Sequence, residues 1–323
     1  MENRFPRAAL AALAAVALSC SARAESWPER PVKLIVAGAP GSAPDIIGRL
    51  LGERLAKTWG EPLVVENRPG AAGNLGTDAA AKAPADGYTL LMGQAAPIAM
   101  NQYTFKSLPF DPEKDLEPIV SLGLSPMMIA VNNDLPVKSV ADLVALAKAR
   151  PGKINFGTSS SRNIPHLTGE LLASMAGIQL VHVPYKVGTQ ASAETIAGLT
   201  QVYIDGIPPM VAHLKSGRLR VIATSAPARL ANFPDIPAVA ETIPGFAFGG
   251  WFCLMAPTGT PAEVIARVNR DVNEALKEPT IAARMLGFGM YDPGGTPEQA
   301  AAFIRAERAR YERAVKAARI QPE

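Results

Sequence analysis

Short apolar runs alternate with amphipathic segments of helical period along most of this chain, and this alternation restricts the fold more than any other feature. Strands that alternate with helices build sheets that carry helices on both faces, and such strands pair mostly in parallel. The sequence therefore predicts an α/β fold with mostly parallel sheets. Predicted strands cover 32–37, 63–66, 89–92, 127–131, 154–157, 180–185, 202–204, 219–224 and 251–256. Predicted helices cover 46–59, 140–149, 167–175, 191–197 and 209–216.

The pattern changes near the C-terminus, where three helices are predicted in succession, over 261–277, 280–286 and 297–318. The segments Thr260-Pro261-Ala262-Glu263 and Thr296-Pro297-Glu298-Gln299 are typical of helix starts, with Thr before Pro and an acid or amide three residues after the Thr. We expect these helices to pack back over an earlier sheet.

The balance of positive and negative charges limits the classes of molecule that the chain is expected to bind. The chain has 32 Lys and Arg against 29 Asp and Glu, and these charges are scattered rather than gathered into basic stripes. We therefore expect no nucleic-acid partner. A length of 323 residues, 48% of them hydrophobic, suffices for a large folded core, and we expect a monomer.

The N-terminus has the features of an export signal. A basic segment that ends at Arg7 precedes the apolar run 8–18, and Ala22-Arg23-Ala24 forms a small-residue cleavage site. We expect residues 1–24 to be a signal peptide that is cut after Ala24, which predicts a periplasmic protein. Lipidation at Cys20 is the alternative, but the residues before it match a lipoprotein signal poorly. The other cysteine, Cys253, lies in an apolar run and is predicted to be a buried structural residue.

The stretch Ala37-Gly38-Ala39-Pro40-Gly41-Ser42-Ala43-Pro44-Asp45 joins a predicted strand to a predicted helix. Its last four residues have the form of a helix start, in which the Ser side chain caps free N–H groups and an acid follows. A helix start carries partial positive charge and unpaired donors, which attract an anion without a charged side chain. We expect this loop to hold a carboxylate, although an ordinary turn uses the same residue types.

Two later junctions have similar chemistry. Four hydroxyl residues, Thr158-Ser159-Ser160-Ser161, and then Arg162-Asn163 follow one predicted strand, and Lys186-Val187-Gly188-Thr189-Gln190 follows the next. Ligands of open α/β sheets bind outside the carboxyl ends of the strands. Facing one another across two lobes, these junctions would enclose a small polar molecule.

The residue patterns of common enzymes are missing. There is no G-x-S-x-G elbow and no phosphate-binding fingerprint, and His166, His182 and His213 fall in different elements without metal-ligand spacing. We expect no catalysis, no cofactor and no metal. Asp205, at the end of a predicted strand, is the one acid besides Asp45 that we expect in a cleft. It would bind a ligand N–H group, a water or a neighbouring loop.

Several blocks resemble the Bug (TctC-like) family of periplasmic receptors that serve tripartite tricarboxylate transporters. The most characteristic block is VVENRPGAAGNLGTDAAAKAPADGYTLLMG, residues 64–93. The others occur in family order: Trp27-Pro28-Glu29-Arg30-Pro31-Val32, AKARPGKINFGTSS at 147–160, HVPYK at 182–186, GRLRVIATSAPAR at 217–229, FPDIPAVAE at 233–241 and APTGTP at 256–261. Together they span nearly all of the chain after the signal peptide.

The resemblance implies a two-lobed type II periplasmic binding protein that holds a small carboxylate in the cleft and delivers it to the membrane components of such a transporter. We expect residues 25–125 and 249–323 in the first lobe and 126–248 in the second. Organic diacids, aromatic carboxylates and amino acids are all candidate ligands. The resemblance, with the loop chemistry above, gives these expected ligand-binding residues: Gly38, Ala39, Gly41, Ser42, Ala43, Asp45, Thr158, Ser159, Ser160, Arg162, Asn163, Lys186, Val187, Gly188 and Asp205.

The chain departs from the family pattern at three places. Gly38 stands where the family usually has an aromatic residue, which predicts a roomier pocket. Ser160 and Arg162 stand near positions that are usually glycine, and so does Val187. Because Arg162 presents a planar pair of donors, it is a candidate to take a carboxylate directly, and the alternative is that it points into solvent. Two alternatives stay open: a secreted α/β enzyme that acts on a carboxylated substrate, and a ligand sensor for a signalling partner.

Overall fold

Nine strands and nine α-helices make up most of the computed structural model, which describes residues 27–318 and 320–322. The strands are β1 Val32–Val36, β2 Leu63–Asn67, β3 Thr89–Gln94, β4 Leu116–Val131, β5 Ile154–Thr158, β6 Leu180–Pro184, β7 Val202–Gly206, β8 Arg220–Thr224 and β9 Gly249–Pro257. The helices are α1 Ala43–Trp59, α2 Asn74–Ala81, α3 Val140–Ala149, α4 Ile164–Ala176, α5 Gly188–Ile196, α6 Ile207–Ser216, α7 Ala262–Lys277, α8 Pro279–Gly287 and α9 Pro297–Ala317. The predicted signal peptide and its Cys20 alternative lie outside the described residues.

The long strand β4 joins two halves of the sheet. Its first part, up to Pro126, pairs with β9, whereas its last part, from Met127, pairs with β7 and β8. The first half has the order β2-β1-β3-β9-β4 and the second has β4-β7-β5-β6 with β8 on the other side of β4. Pairing is parallel among β1, β2 and β3 and among β5, β6 and β7, and antiparallel along β4 and β9. The predicted α/β fold of two lobes is confirmed.

Each predicted strand and helix occurs, and all but one lie within a few residues of their predicted bounds. The largest difference is at β4, which begins at Leu116 rather than at residue 127. The earlier part contains Pro118, Gly123 and Pro126, which interrupt the strand pattern in the sequence. Helix α2 escapes prediction because the glycine-rich sequence around it is typical of a loop.

The C-terminal helices pack back over the sheet as expected. The indole nitrogen of Trp59 in α1 donates to Asp271 Oδ2 of α7 over 2.9 Å, and Tyr311 of α9 donates its hydroxyl to Gly249 O over 2.8 Å. At the start of α9 the Thr296 side chain accepts from Gln299 N, as predicted. The segment at Thr260 also starts a helix as predicted, with Pro261 at the N-cap, and the Thr260 hydroxyl donates to Pro257 O.

The predicted burial of Cys253 is confirmed. Cys253 is buried in β9, and burial raises the pKa of its thiol to about 12, as a structural cysteine requires. Within residues 27–318 and 320–322, each helix is too short or too polar to cross a membrane.

A single buried serine ties together the two segments that connect the lobes. Ser225 lies after β8, between Met127 of β4 and Phe248, which precedes β9. Its hydroxyl accepts from Met127 N over 2.7 Å and donates to Phe248 O over 2.5 Å. Its backbone N–H donates to Met127 O over 2.9 Å, and its carbonyl accepts from Phe248 N over 3.0 Å. Four hydrogen bonds thus converge on a side chain and backbone that are shielded from water.

We expect Ser225→Ala to lower the free energy of unfolding by about 2–4 kcal/mol, because it leaves buried backbone groups of Met127 and Phe248 without a partner. Urea unfolding followed by circular dichroism measures this change. Ser216→Ala is the matched control, since that exposed hydroxyl only caps the end of α6 and its removal should cost less than about 0.5 kcal/mol. Equal effects of the two substitutions would contradict the assignment.

Candidate functional site

A cavity of about 890 Å³ lies where the carboxyl ends of strands from both lobes face one another. The first lobe contributes the loop after β1 and the end of β3, and the second contributes the loops after β5 and β6 and the end of β7. Strands β4 and β9, which connect the lobes, form part of its floor. This is the location that the rule for open α/β sheets predicts.

Four helices begin at this cavity. Their N-cap residues are Ser42 of α1, Asn163 of α4, Val187 of α5 and Gly206 of α6, and all four line the cavity. Only Asn163 caps its helix with its own side chain, whose Oδ1 accepts from His166 N. The other three starts have no side-chain cap. Because each helix start carries partial positive charge, the cavity attracts an anion.

Twelve of the fifteen predicted site residues line the cavity: Gly38, Ala39, Gly41, Ser42, Ala43, Ser159, Ser160, Asn163, Lys186, Val187, Gly188 and Asp205. The structure therefore brings the three predicted junctions together. Asp45, Thr158 and Arg162 are not among the lining residues. These three residues lie beside the loops of the cavity in three different environments.

Asp45 holds the first loop in shape rather than facing the cavity. It is 3% exposed, and its Oδ2 accepts from Gly41 N over 2.8 Å. Its Oδ1 accepts from Arg49 Nε and from Asn67 Nδ2, each over 3.0 Å. Burial opposes ionisation, but the hydrogen bonds from Arg49, Gly41 and Asn67 lower the pKa of Asp45. The charged carboxylate of Asp45 therefore fixes the backbone of the loop after β1 from the side buried in the protein.

The predicted capping role of Ser42 needs correction. Ser42 does not cap α1 with its side chain, because its hydroxyl donates to Ala39 O over 2.6 Å and closes the turn. A Cβ atom at Gly38 would lie 2.8 Å from Ser42 Oγ and 3.1 Å from the ring of Pro44. A side chain at Gly38 would therefore require the Ser42 hydroxyl or the Pro44 ring to shift, and the roomier pocket stays a prediction.

Thr158 supports the second loop from inside the protein. Its buried hydroxyl donates to Ser160 O over 2.7 Å and lies 2.7 Å from His182 Nε2. Because that hydroxyl already donates to a carbonyl, His182 is the donor in the second contact. The ring of His182 stacks on His166 with centroids 3.9 Å apart. Burial, with a smaller contribution from His166, lowers the pKa of His182 to about 3.

Arg162 occupies an unusual backbone position. Its φ of 57° lies in the left-handed region that favours glycine, and its N–H donates to His166 Nδ1 over 3.0 Å. The guanidinium carbon lies 5.5 Å from the ring centroid of Phe105, which belongs to the segment between β3 and β4. Direct contact between Arg162 and a ligand stays a prediction. By contrast, the backbone of Val187 is extended, with a φ of −143°. A residue with a side chain adopts this φ without strain, so valine is accommodated where the family usually has glycine.

Asp205 forms its hydrogen bonds within the protein. Its Oδ2 accepts from the Tyr203 hydroxyl over 2.5 Å and its Oδ1 from Gly206 N over 2.7 Å. Burial raises the pKa of Asp205, although these two bonds oppose the change. A Cβ at Gly188 would lie 2.6 Å from Asp205 Oδ2, so the start of α5 rests directly on the carboxylate. The hydrogen-bond partners of Asp205 in the structure thus lie on its own strand, and contact with a ligand stays a prediction.

Few charged groups face the cavity. Among the described residues that line it, Lys186 is the only Lys or Arg and Asp205 the only acid. His213 also lines it, and burial, with a smaller contribution from Arg218, lowers its pKa. Within residues 27–318 and 320–322, no group of acids, histidines or cysteines is arranged to hold a metal ion. Backbone and neutral side chains thus dominate the site.

The sequence did not indicate several lining residues. Gln94 ends β3, Ser125 lies in β4, and Phe252 lies in β9. Gln94 lies at the carboxyl end of a parallel strand, so the strand-end rule applied to a longer β3 would have found it. Ser125 and Phe252 become neighbours of the site only through strand pairing between distant parts of the chain.

Two α/β lobes joined by β4 and β9, with an anion-attracting cavity between them, define a type II periplasmic binding protein. The chain belongs to the TctC family, the tripartite tricarboxylate transporter family receptors, whose family model matches residues 47–320. BugT of Bordetella pertussis is 35% identical over 297 residues, which cover 91% of this chain and 91% of BugT. The resemblance found in the sequence is confirmed.

Solved structures agree with this assignment. The Rhodopseudomonas palustris protein Rpa4515, solved with adipate, is 32% identical and superposes with a TM-score of 0.89 over 92% of this chain and 100% of that one. MatC of Rhodopseudomonas palustris, solved with bound malate, is 27% identical with a TM-score of 0.83 over 90% of this chain and 100% of MatC. The family and the fold are those of solute-binding receptors.

The low pKa of His182 predicts a loss of stability in acid. Below its ordinary pKa of 6.5 the unfolded chain binds a proton that folded His182 does not take up until about pH 3. The free energy of unfolding should therefore fall from pH 6.5 towards pH 4, with a contribution from this residue of up to about 1.4 kcal/mol per pH unit. Urea unfolding at several pH values measures the slope.

His182→Gln is the matched variant, because its amide keeps a donor near Thr158 but does not titrate. The slope should be smaller in this variant, whereas His213 contributes equally to both proteins. Identical slopes would show that His182 is protonated in the folded protein at the same pH as in the unfolded chain.

Proposed function

We propose that this protein is a periplasmic solute-binding receptor that captures a small carboxylate between its lobes and delivers it to a tripartite tricarboxylate transporter. The observation that carries the proposal is the convergence of four helix starts on one cavity. Relatives of the same fold solved with adipate and with malate support a carboxylate ligand. Export through a signal peptide cut after Ala24 and action as a monomer are parts of this proposal.

The ligand is held from both lobes in this scheme. Its carboxylate lies against the start of α1 in the first lobe and against the starts of α4 and α5 in the second. Because no single lobe contains all of these donors, only the closed arrangement satisfies the carboxylate fully. Binding therefore favours closure, and opening releases the ligand to the transporter.

We propose binding without catalysis. An enzyme acting on a carboxylated substrate needs a nucleophile and a base within hydrogen-bond reach. Ser159 Oγ instead accepts from the Asn163 amide, and Asp205 is engaged by Tyr203 and Gly206. In the described part of the chain neither residue has the other as its hydrogen-bond partner. A ligand recovered unchanged after long incubation, as judged by NMR, would agree with this.

The first test is a thermal-shift screen of the mature protein, refolded to remove carried-over ligand, against adipate, malate, succinate, citrate, benzoate, terephthalate and aspartate. At least one acid should raise the melting temperature in a concentration-dependent manner, because a ligand that binds only the folded state stabilises it. Isothermal titration calorimetry then gives the dissociation constant. No shift with any of these acids would contradict the proposal.

The second test is Asn163→Asp, which places a negative charge at the helix start that faces the cavity. Asp caps a helix as well as Asn, so stability should be unchanged. Affinity for the acid found in the screen should fall at least about tenfold, because two like charges share one site. Ser139→Asp makes a comparable change at the N-cap of α3, outside the cavity, and should leave affinity unaltered. Equal affinities of all three proteins would place the carboxylate elsewhere.

A further inference from the structure

His213 is a titratable side chain at the cavity that the proposed binding scheme does not use. It lies in the last turn of α6 and is half-buried, and its ring stands edge-on to the ring of Tyr203 with the centroids 6.4 Å apart. In the described part of the chain no group forms a hydrogen bond with its ring nitrogens, and neither nitrogen is among the buried polar atoms. The imidazole can therefore bind a polar group of a ligand.

The helical pattern of α6 directs the His213 side chain to the edge of the cavity. Pro209 and Ala212 of the same helix also line the cavity, whereas Met210 and Leu214 pack in the hydrophobic core of the second lobe. His213 follows Pro209 by four residues, so the two side chains lie on the same side of the helix. Because the backbone of a helix lies behind its side chains, a residue in the last turn reaches the cavity through its side chain.

The surroundings of His213 are positively charged. Burial, and to a smaller extent the positive charge of Arg218, lowers the pKa of His213, so the ring is mainly neutral at pH 7 in the ligand-free protein. Lys215 lies in the same turn of α6 and adds a second positive charge. A positive field of this kind opposes a proton on the ring but attracts an anion to it.

Charged groups on the neighbouring elements are already engaged. On β7, Asp205 accepts from the Tyr203 hydroxyl, and burial raises the pKa of Tyr203 well above its usual range. Helix α1 packs against α6 from the first lobe, and the charged residues of its first two turns, Asp45 and Arg49, are paired with each other. An anion beside His213 therefore meets no unpaired acid among these residues.

The position of His213 sets the length of a ligand that would reach it. His213 lies seven residues beyond Gly206, the N-cap of α6, which is about 10 Å along the helix axis. Because an extended chain advances about 1.2 Å per bond, a diacid of about eight carbons reaches from a helix start to His213, whereas a diacid of about four carbons does not. The cavity of about 890 Å³ has room for a molecule of this size.

We propose that His213 binds the second carboxylate of a long diacid whose first carboxylate lies at the helix starts, and that the imidazole takes up a proton from the solvent as this ligand binds. This inference rests on the proposed function and narrows the ligand to diacids of about eight carbons. A carboxylate beside the ring favours the imidazolium, which then donates a charge-assisted hydrogen bond. Lys186 is already charged and adjoins the start of α5, so binding there takes up no proton.

Octanoate, suberate and succinate test the inference by calorimetry at pH 6.5 in PIPES and in Bis-Tris, two buffers that differ in ionisation enthalpy. Suberate should bind about tenfold more tightly than octanoate, as a hydrogen bond between charged groups provides. Suberate should also take up a fraction of a proton, whereas octanoate and the short diacid succinate should take up none. Equal affinities of suberate and octanoate, or suberate binding without proton uptake, overturn the inference.

The pH dependence of affinity has a defined direction. The pKa of His213 is lowered from 6.5 in the ligand-free protein, and a bound carboxylate raises it, so the complex holds more protons at pH values between the two pKa values. Affinity for suberate should therefore increase as the pH falls from 8 to 6.5, whereas affinity for octanoate stays level. The ligand carboxylates stay ionised over this range. A level profile for suberate contradicts the inference.

His213→Gln supplies a second readout, because it removes the titrating ring and keeps a hydrogen-bonding amide. It should abolish the proton uptake and most of the preference for suberate, while affinity for octanoate stays the same. Lys215→Gln is the matched control, since it removes a positive charge from the same turn but Lys215 does not line the cavity. Its effect on the preference should stay within about twofold, because solvent and salt screen an exposed charge. Equal losses in the two variants would overturn the inference.

The outcomes separate this inference from the proposed function. If none of the three acids and no acid of the earlier screen binds, the proposed function is refuted, and the role of His213 with it. If carboxylates bind but His213→Gln keeps both the preference for suberate and the proton uptake, the role of His213 alone is refuted.

Discussion

The electrostatics of helix starts is the interaction on which the rest of this structure depends. Parallel strands in each lobe deliver their connecting loops to the same edge, and the following helices therefore begin there with their positive ends towards the cleft. Ser42, Asn163, Val187 and Gly206 occupy these starts. The topology thus directs the positive ends of four helices at a cavity in which Lys186 is the one Lys or Arg among the described lining residues.

Charged and aromatic residues near the site act mainly on the loops. Asp45 fixes the loop before α1 through Gly41, Arg49 and Asn67, and the stacked pair His166 and His182 fixes the loop after β5. Loops held in this way lose little conformational freedom when a ligand binds, so more of the interaction energy appears as affinity. The strained backbone at Arg162 belongs to the same arrangement, since its N–H donates to His166.

The sequence predicts the strands, most of the helices and the three loops of the site, because strand alternation and helix-start chemistry are local. It does not indicate contacts between distant parts of the chain. Asp45 and Thr158 have the chemistry of ligand-binding residues, but Asn67 and His182, remote in sequence, engage them within the protein. Ser125 escapes notice because only its pairing with Gly250 brings it to the floor. Local patterns identify the loops, and tertiary pairing decides which side chains face the cavity.

The four hydrogen bonds at Ser225 have a mechanical consequence. They hold the segment at Met127 beside the segment at Phe248, so the two connections between the lobes run as neighbours through one point. Two connecting segments that are hydrogen-bonded side by side allow the lobes to rotate about an axis through them. They resist twisting or sliding of one lobe against the other. For the proposed closure of the lobes, this connection favours rotation about one axis, which would return the loops of the two lobes to the same positions around a ligand.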